Sequence, residues 1–259
     1  MSVVKKFRIT KIKNSIPIIS LKKISLSYKK NHLILDNLTL DISNGQIIGL
    51  LGPNGAGKSS LMNIITGLIY PSFGNIYIRN ENITKYPTYL RTQKFKISLV
   101  PQIGGYFSDL NVEENLNAVG EVLVKDPNSR KLKIENLISK FELDAIRKVE
   151  AKFLSGGMKR RLVISMALIG DPQILLMDEP FAALDPQTIQ MLQTIIIKLQ
   201  AEYQLTILIT DHQARDLLAV CDKAIILSNS KIVAEGTPNE LIQSENAVKH
   251  YFGDNFKFK

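Results

Sequence analysis

Apolar and polar positions alternate along Ile19 to Tyr28 and again along Leu33 to Ile42, the period-two pattern of strands with one buried face. Asn44-Gly45 follows as a turn signal, so the two runs predict an antiparallel entry sheet. Gln46 to Leu51 reads differently, as a short unbroken apolar run of the kind buried on both faces. One loop later Leu61, Ile64, Ile65 and Leu68 recur at helical spacing. Residues 97 to 101, 173 to 177 and 205 to 210 are further buried-strand runs separated by helical stretches, which predicts a parallel sheet covered by helices.

Between Gln102 and Ser155 the pattern turns helical, with Asn111 and Glu114 spaced as an N-cap pair and Asp126-Pro127-Asn128-Ser129 dividing the region in two. This stretch, about residues 104 to 154, reads as a helical subdomain inserted in the sheet domain. Ala224 to Ser228 and Lys231 to Ala234 form a strand pair around Asn229-Ser230, and Thr237-Pro238-Asn239-Glu240 has the cap, first-turn proline and acid of a helix start. There is no internal repeat and no low-complexity segment.

With 259 residues, 45% of them apolar, the chain can bury a large core as one domain with a subdomain. Its one cysteine, Cys221, excludes an intrachain disulfide and gives no sign of an oxidising compartment. No run approaches the roughly 18 to 20 apolar residues that span a bilayer, and Lys5, Lys6, Arg8, Lys11 and Lys13 break up any signal-like apolar stretch at the start. The expectation is a chain that neither crosses the membrane nor leaves the cytosol.

Locating the net charge of +9 changes its meaning. Residues 1 to 30 carry nine Lys or Arg and no acid, leaving 24 basic and 24 acidic residues in the other 229. A neutral body argues against a nucleic-acid-binding face. The basic arm, residues 1 to 16, would add about 1 kcal/mol per well-placed charge at an anionic leaflet; a solvated tail is the equal alternative.

Gly52-Pro53-Asn54-Gly55-Ala56-Gly57-Lys58-Ser59, followed by Ser60, fits the phosphate-binding pattern of Gly, four residues, Gly, Lys and Ser or Thr, and it lies between an apolar strand and a helix. Glycines let backbone N–H groups converge on phosphate oxygens, and the helix N-terminus adds partial positive charge. Lys58 is placed to neutralise the β- and γ-phosphates and Ser59 to ligate Mg²⁺. Such loops serve many reactions, so the loop alone predicts ATP or a related nucleotide rather than a reaction.

Ile174 to Met177 ends in Asp178-Glu179, two carboxylates that strand alternation would send to opposite faces. Asp178 is then the candidate for the Mg²⁺ shell, and Glu179 for the base or orienter of a water in line with the γ-phosphate. Leu154-Ser155-Gly156-Gly157-Met158 opens another helix and offers a second set of anion-facing donors.

With that last motif the chain resembles the ABC-type ATPases, over nearly its whole length from about residue 17 to the end. The resemblance implies a P-loop NTPase fold of α/β class: an ABC nucleotide-binding domain, residues 17 to 259, with an antiparallel β subdomain and the inserted helical subdomain. It implies a homodimer in which Leu154, Ser155, Gly156 and Gly157 complete ATP bound on the opposite copy, with Asp185 as the D-loop residue at the interface. Tyr28 is similar to the adenine-stacking aromatic, though a strand tyrosine can equally be packing. Gln102 resembles the Q-loop glutamine that senses Mg²⁺ and γ-phosphate, and His212 the switch histidine that contacts the γ-phosphate. Met158 departs from the family, which usually has Gln or Glu there.

A single unit without membrane spans implies docking on two transmembrane transporter subunits; a soluble ABC ATPase of repair or translation is the alternative of another class. Phe107 resembles the groove aromatic that packs on a coupling helix, the alternative being burial within the subdomain. Thr210-Asp211-His212, Leu217 to Cys221, Gly236-Thr237-Pro238 and Tyr251 to Phe256 are similar to the branch that drives lipopolysaccharide export from the cytoplasmic face of the inner membrane. Branched-chain amino-acid importers, which share the Gly-Thr-Pro and a similar ending, are the alternative.

Overall fold

The computed structural model describes residues 16–29, 32–253 and 256. The basic arm therefore lies outside the described residues, apart from Ile16, as do Asp254 and Asn255 of the tail motif. In chain order the elements are β1 (Ile19–Lys29), β2 (His32–Ile42), β3 (Ile47–Leu51), α1 (Lys58–Thr66), β4 (Phe73–Ile78), β5 (Glu81–Asn82), α2 (Thr88–Gln93), β6 (Ile97–Val100), α3 (Val112–Leu123), α4 (Pro127–Lys140), α5 (Gly156–Leu168), β7 (Ile174–Asp178), α6 (Pro186–Tyr203), β8 (Thr206–Thr210), α7 (Ala214–Leu218), β9 (Lys223–Ser228), β10 (Lys231–Gly236) and α8 (Pro238–Gln243).

Two sheets result. The first is antiparallel, ordered β2-β1-β4-β5. The second is ordered β10-β9-β3-β8-β7-β6, parallel from β9 to β6 with β10 antiparallel at the edge. Alternate residues of the parallel strands enter different cores. Ile48, Leu50, Leu176 and Leu208 join β1, β2 and α1, whereas Ile47, Leu51, Leu175, Met177, Ile207 and Ile209 join the helices from α3 to α6. Burial on both faces is why these strands read as unbroken apolar runs.

In β1 the alternation skips a beat. Leu21 and Ile24 are both buried three residues apart, because the register shifts between them and Lys23 takes a left-handed φ of 53°. The helical region is closed by caps: Asn111 and Glu114 form a reciprocal capping box on α3, and Asp126 caps α4 with Pro127 in its first turn. Thr237 and Glu240 do the same for α8.

Three details depart from the sequence reading. Leu68 lies beyond the left-handed Gly67 that ends α1 and is exposed, so it is no part of the helix's buried face. The segment β4-β5-α2 carries no clear period in its sequence: β4 buries only Ile76 and Ile78, and α2 is six residues long and buries only Arg91. Glu179 lies just past the end of β7 with φ 46°, so its direction is set by a left-handed turn and not by strand alternation.

Candidate functional site

The loop between β3 and α1 is shaped by what surrounds it. Gly57, the N-cap of α1, has φ 98°, and a Cβ there would stand 2.8 Å from Leu35 Cδ2. Gly52 is tighter, since a Cβ would fall 2.2 Å from the Leu227 carbonyl oxygen. Both need glycine for φ and for space. No side chain caps α1, so its first-turn N–H groups face the loop unclaimed by a cap. Lys58 is buried beneath, its Nζ donating to the carbonyls of Gly52 at 2.7 Å and Pro53 at 3.1 Å. Burial lowers its pKa, while Glu179, Asp178 and Asp211 pull in the opposite direction.

The carboxylates converge from neighbouring strand ends. Asp178 Oδ1 accepts from Thr210 Oγ1 at 2.5 Å and from Ser59 Oγ at 3.3 Å, linking β7, β8 and the start of α1. The Glu179 amide donates to the Thr210 carbonyl at 2.9 Å. Its Oε2 accepts from Gln102 Nε2 at 2.6 Å and lies 3.4 Å from His212 Nδ1. Gln102, Glu179 and His212, widely separated in sequence, thus share one carboxylate oxygen.

Beside them Asp211 is fully buried and accepts from the amides of Phe181 at 3.1 Å and Gln213 at 2.9 Å. Burial raises its pKa and those two N–H groups oppose the rise. The Gln213 side chain returns a bond to the Phe181 carbonyl at 3.1 Å, and the Tyr251 hydroxyl donates to the His212 carbonyl at 3.3 Å. The histidine ring is half exposed while its backbone is pinned.

Ser155 caps α5, its Oγ accepting from the Met158 amide at 3.3 Å. A Cβ on Gly157 would stand 2.8 Å from Thr188 Cγ2, and one on Gly156 3.3 Å from Leu184 Cδ2. The helix start therefore packs closely on the segment holding Asp185. That aspartate caps α6, accepting from the amides of Gln187 and Thr188 and from Thr188 Oγ1.

Tyr28 is exposed near the end of β1, and the Phe107 ring is 53% exposed. Burial of Phe107 within the helical region is thereby corrected: its backbone is clamped by the buried Asn115, which accepts its N–H and donates to its carbonyl, while the ring faces out.

Sequence reasoning missed two groups that build the site. Thr210 orients both carboxylate residues through its hydroxyl and carbonyl, but in an apolar run it reads as one more strand residue. Arg160 on α5 donates to the carbonyls of Pro101 at 2.8 Å, Gln102 at 3.2 Å and Glu179 at 3.1 Å. Within Lys159-Arg160-Arg161 it looks like a solvated charge run, and nothing in the pattern marks it.

The hard oxygen donors Ser59 Oγ and Asp178 Oδ1 suit Mg²⁺, which typically takes few protein ligands and completes its shell with water and phosphate oxygens. Uncapped amides at the start of α1, a buried lysine, an oxygen pair and a braced carboxylate are the groups that nucleoside-triphosphate hydrolysis calls for.

The ABC transporter family model matches residues 35–182. The chain is 38% identical to the lipopolysaccharide export system ATP-binding protein LptB of Haemophilus influenzae over 242 residues, 93% of this chain and 99% of that protein. A nucleotide-free ATP-binding cassette from an ABC transporter superposes with a TM-score of 0.82 at 25% identity, covering 92% of this chain and all of that one. Another cassette, solved as a dimer in a post-hydrolysis state with ADP and Pi, superposes at 0.75 with 27% identity over 85% of this chain and 98% of its own. The chain belongs to the ABC transporter family and is one of its ATP-hydrolysing subunits.

Proposed function

We propose that this chain is the motor subunit of a transporter that extracts lipopolysaccharide from the inner membrane for export. The observation that carries the hydrolytic part is Glu179 held between Gln102 and His212 beside the Ser59–Asp178 pair. The cargo is inferred from lipopolysaccharide export relatives that are 35–38% identical over most of the chain, which favours export over the amino-acid importer reading.

In this reading Gly52 to Ser60 wrap the phosphates, Lys58 turns from the loop carbonyls to the β- and γ-oxygens, and Tyr28 stacks on adenine. Ser59, Asp178 and Gln102 hold Mg²⁺. When bound, the ion supplies neutralisation of phosphate charge. Glu179 takes a proton from the attacking water, and His212 orients toward the γ-phosphate. Leu154 to Gly157 of a second copy close the site, with Asp185 at the shared face.

Phe107 meets the coupling helix of an LptF/LptG-like transmembrane subunit, and two copies serve two such subunits at the cytoplasmic face of the inner membrane. Among the described residues no helix is long and apolar enough to cross a membrane, in keeping with a peripheral post. The basic residues 1 to 30 would touch anionic lipid.

Glu179→Gln tests the chemistry. ATP binding should survive, hydrolysis should fall about 10²- to 10⁴-fold, and Mg-ATP should trap a dimer visible by size exclusion. Hydrolysis at the wild-type rate would remove Glu179 from its role. Copurification of amino-acid permease subunits in mild detergent would overturn the export reading alone.

A further inference from the structure

Arg91 is fully buried, and each bond recorded for its guanidinium goes to a main-chain carbonyl. Nη1 reaches Ile64 O at 2.6 Å and Ile65 O at 2.9 Å, in the last turn of α1. Nη2 reaches Thr84 O at 2.9 Å and Nε reaches Tyr86 O at 2.9 Å, in the loop that leads into α2. Burial lowers its pKa to about 10, so it remains a cation at neutral pH.

A buried charge costs several kcal/mol to desolvate, and four bonds to carbonyl oxygens offset that cost here. In exchange the arginine provides a rigid fork between two elements. One is the helix whose N-terminus is the phosphate loop, with the cation against the negative end of its dipole. The other is the segment that presents exposed Tyr89 and runs through Phe95 into β6, and so to Gln102. Leu68 and Tyr70, just past the end of α1, are also exposed.

We infer that Arg91 is a positioning residue: it ties the far end of the phosphate-loop helix to the 84–93 segment, so that holding nucleotide stiffens the exposed surface around Tyr89. The inference rests on the nucleotide reading of Gly52 to Ser59 and extends it from the loop to a surface that touches no nucleotide.

Hydrogen exchange on the full chain, with and without Mg²⁺ and a non-hydrolysable ATP analogue, separates the two. In the wild type, nucleotide should slow exchange in 53–66 and also, by about threefold or more, in 84–93. In Arg91→Met the first effect should persist and the second vanish, with KM for ATP and basal hydrolysis unchanged. Arg91→Lys, which keeps the charge without the fork, should restore part of the protection. No nucleotide effect at 53–66 in the wild type would defeat the nucleotide reading itself. Protection at 53–66 that never reaches 84–93 in the wild type, or that reaches it undiminished in Arg91→Met, overturns the strut. If Arg91→Met fails to fold, the wild type and Arg91→Lys decide: protection at 84–93 in the wild type that Arg91→Lys matches in full overturns it.

Discussion

Two helix starts in this molecule are expected to face phosphate, and they are built by opposite means. At α1 the N-cap is a left-handed glycine with no side-chain cap, a lysine is buried beneath the loop, and two glycines are confined by Leu35 and the Leu227 carbonyl. At α5 the N-cap is a serine bonded to its own helix, and the glycine that follows is confined by Thr188, which belongs to the Asp185 segment. The first site has its own cation and cradle. The second has hydroxyl and amides but keeps its tightest contact for a neighbouring segment. One grips, and the other is held in place to be presented. That difference suits a full site and a half-site better than two equivalent ones.

Breaking the grip should have the larger effect. Gly57→Ala puts a Cβ against Leu35 at a φ that alanine adopts only at a cost of roughly 1–2 kcal/mol. The loop must shift, and nucleotide affinity and hydrolysis should fall about 100-fold, as for other sub-ångström to ångström misplacements. Equilibrium binding of a fluorescent ATP analogue checks it, and near-normal affinity in a folded variant would mean the loop is not the phosphate cradle.

Gly157→Ala acts on the presented half. Thr188 must move, and its hydroxyl is bonded to Asp185, so hydrolysis should drop about tenfold, equivalent to some 1.4 kcal/mol at the barrier. Binding of nucleotide by the isolated chain should not change. If binding and hydrolysis fell together, the contrast between the two helix starts would be lost.

The smallest effect concerns the frame of the helical region. Arg147 first, and Lys148 next, hold the Glu113 carboxyl down to about 2, against an ordinary value of 4.5. A depressed carboxylate contributes stability that is fully present above 4.5 and is lost as pH falls toward 2. Glu113→Gln should therefore melt about 3 °C below wild type near pH 6, with the gap narrowing below pH 4.5 and closing only near pH 2. A gap that stays constant over that range would show the pair contributes nothing through charge.

Much of this contrast was legible in the residues themselves. The glycine loop, the Asp178-Glu179 pair and His212 stand out as short local signals of candidate chemistry, and the doubly buried strands announce themselves as apolar runs. The capping boxes at Asn111 and Thr237 were readable for the same reason, since a cap is local. What escaped is long-range or backbone-directed. Arg91 and Arg160 spend their charge on carbonyls, which every residue possesses, so no partner residue type betrays them. The turn at Glu179 is a φ value, and glutamate gives no hint of it.

The division of β3 between two cores has a consequence for folding. Ile47 and Leu51 face one core and Ile48 and Leu50 the other, so a slip of one residue would exchange the two sets. Both sets are aliphatic and similar in size, and hydrophobicity alone would scarcely object. The slip would, however, carry the glycine loop about 3.3 Å along the strand axis, taking Gly52 off the Leu227 carbonyl and Ser59 out of reach of Asp178. Catalytic turnover thus reports the alignment of a five-residue strand that the oily interior by itself would leave ambiguous.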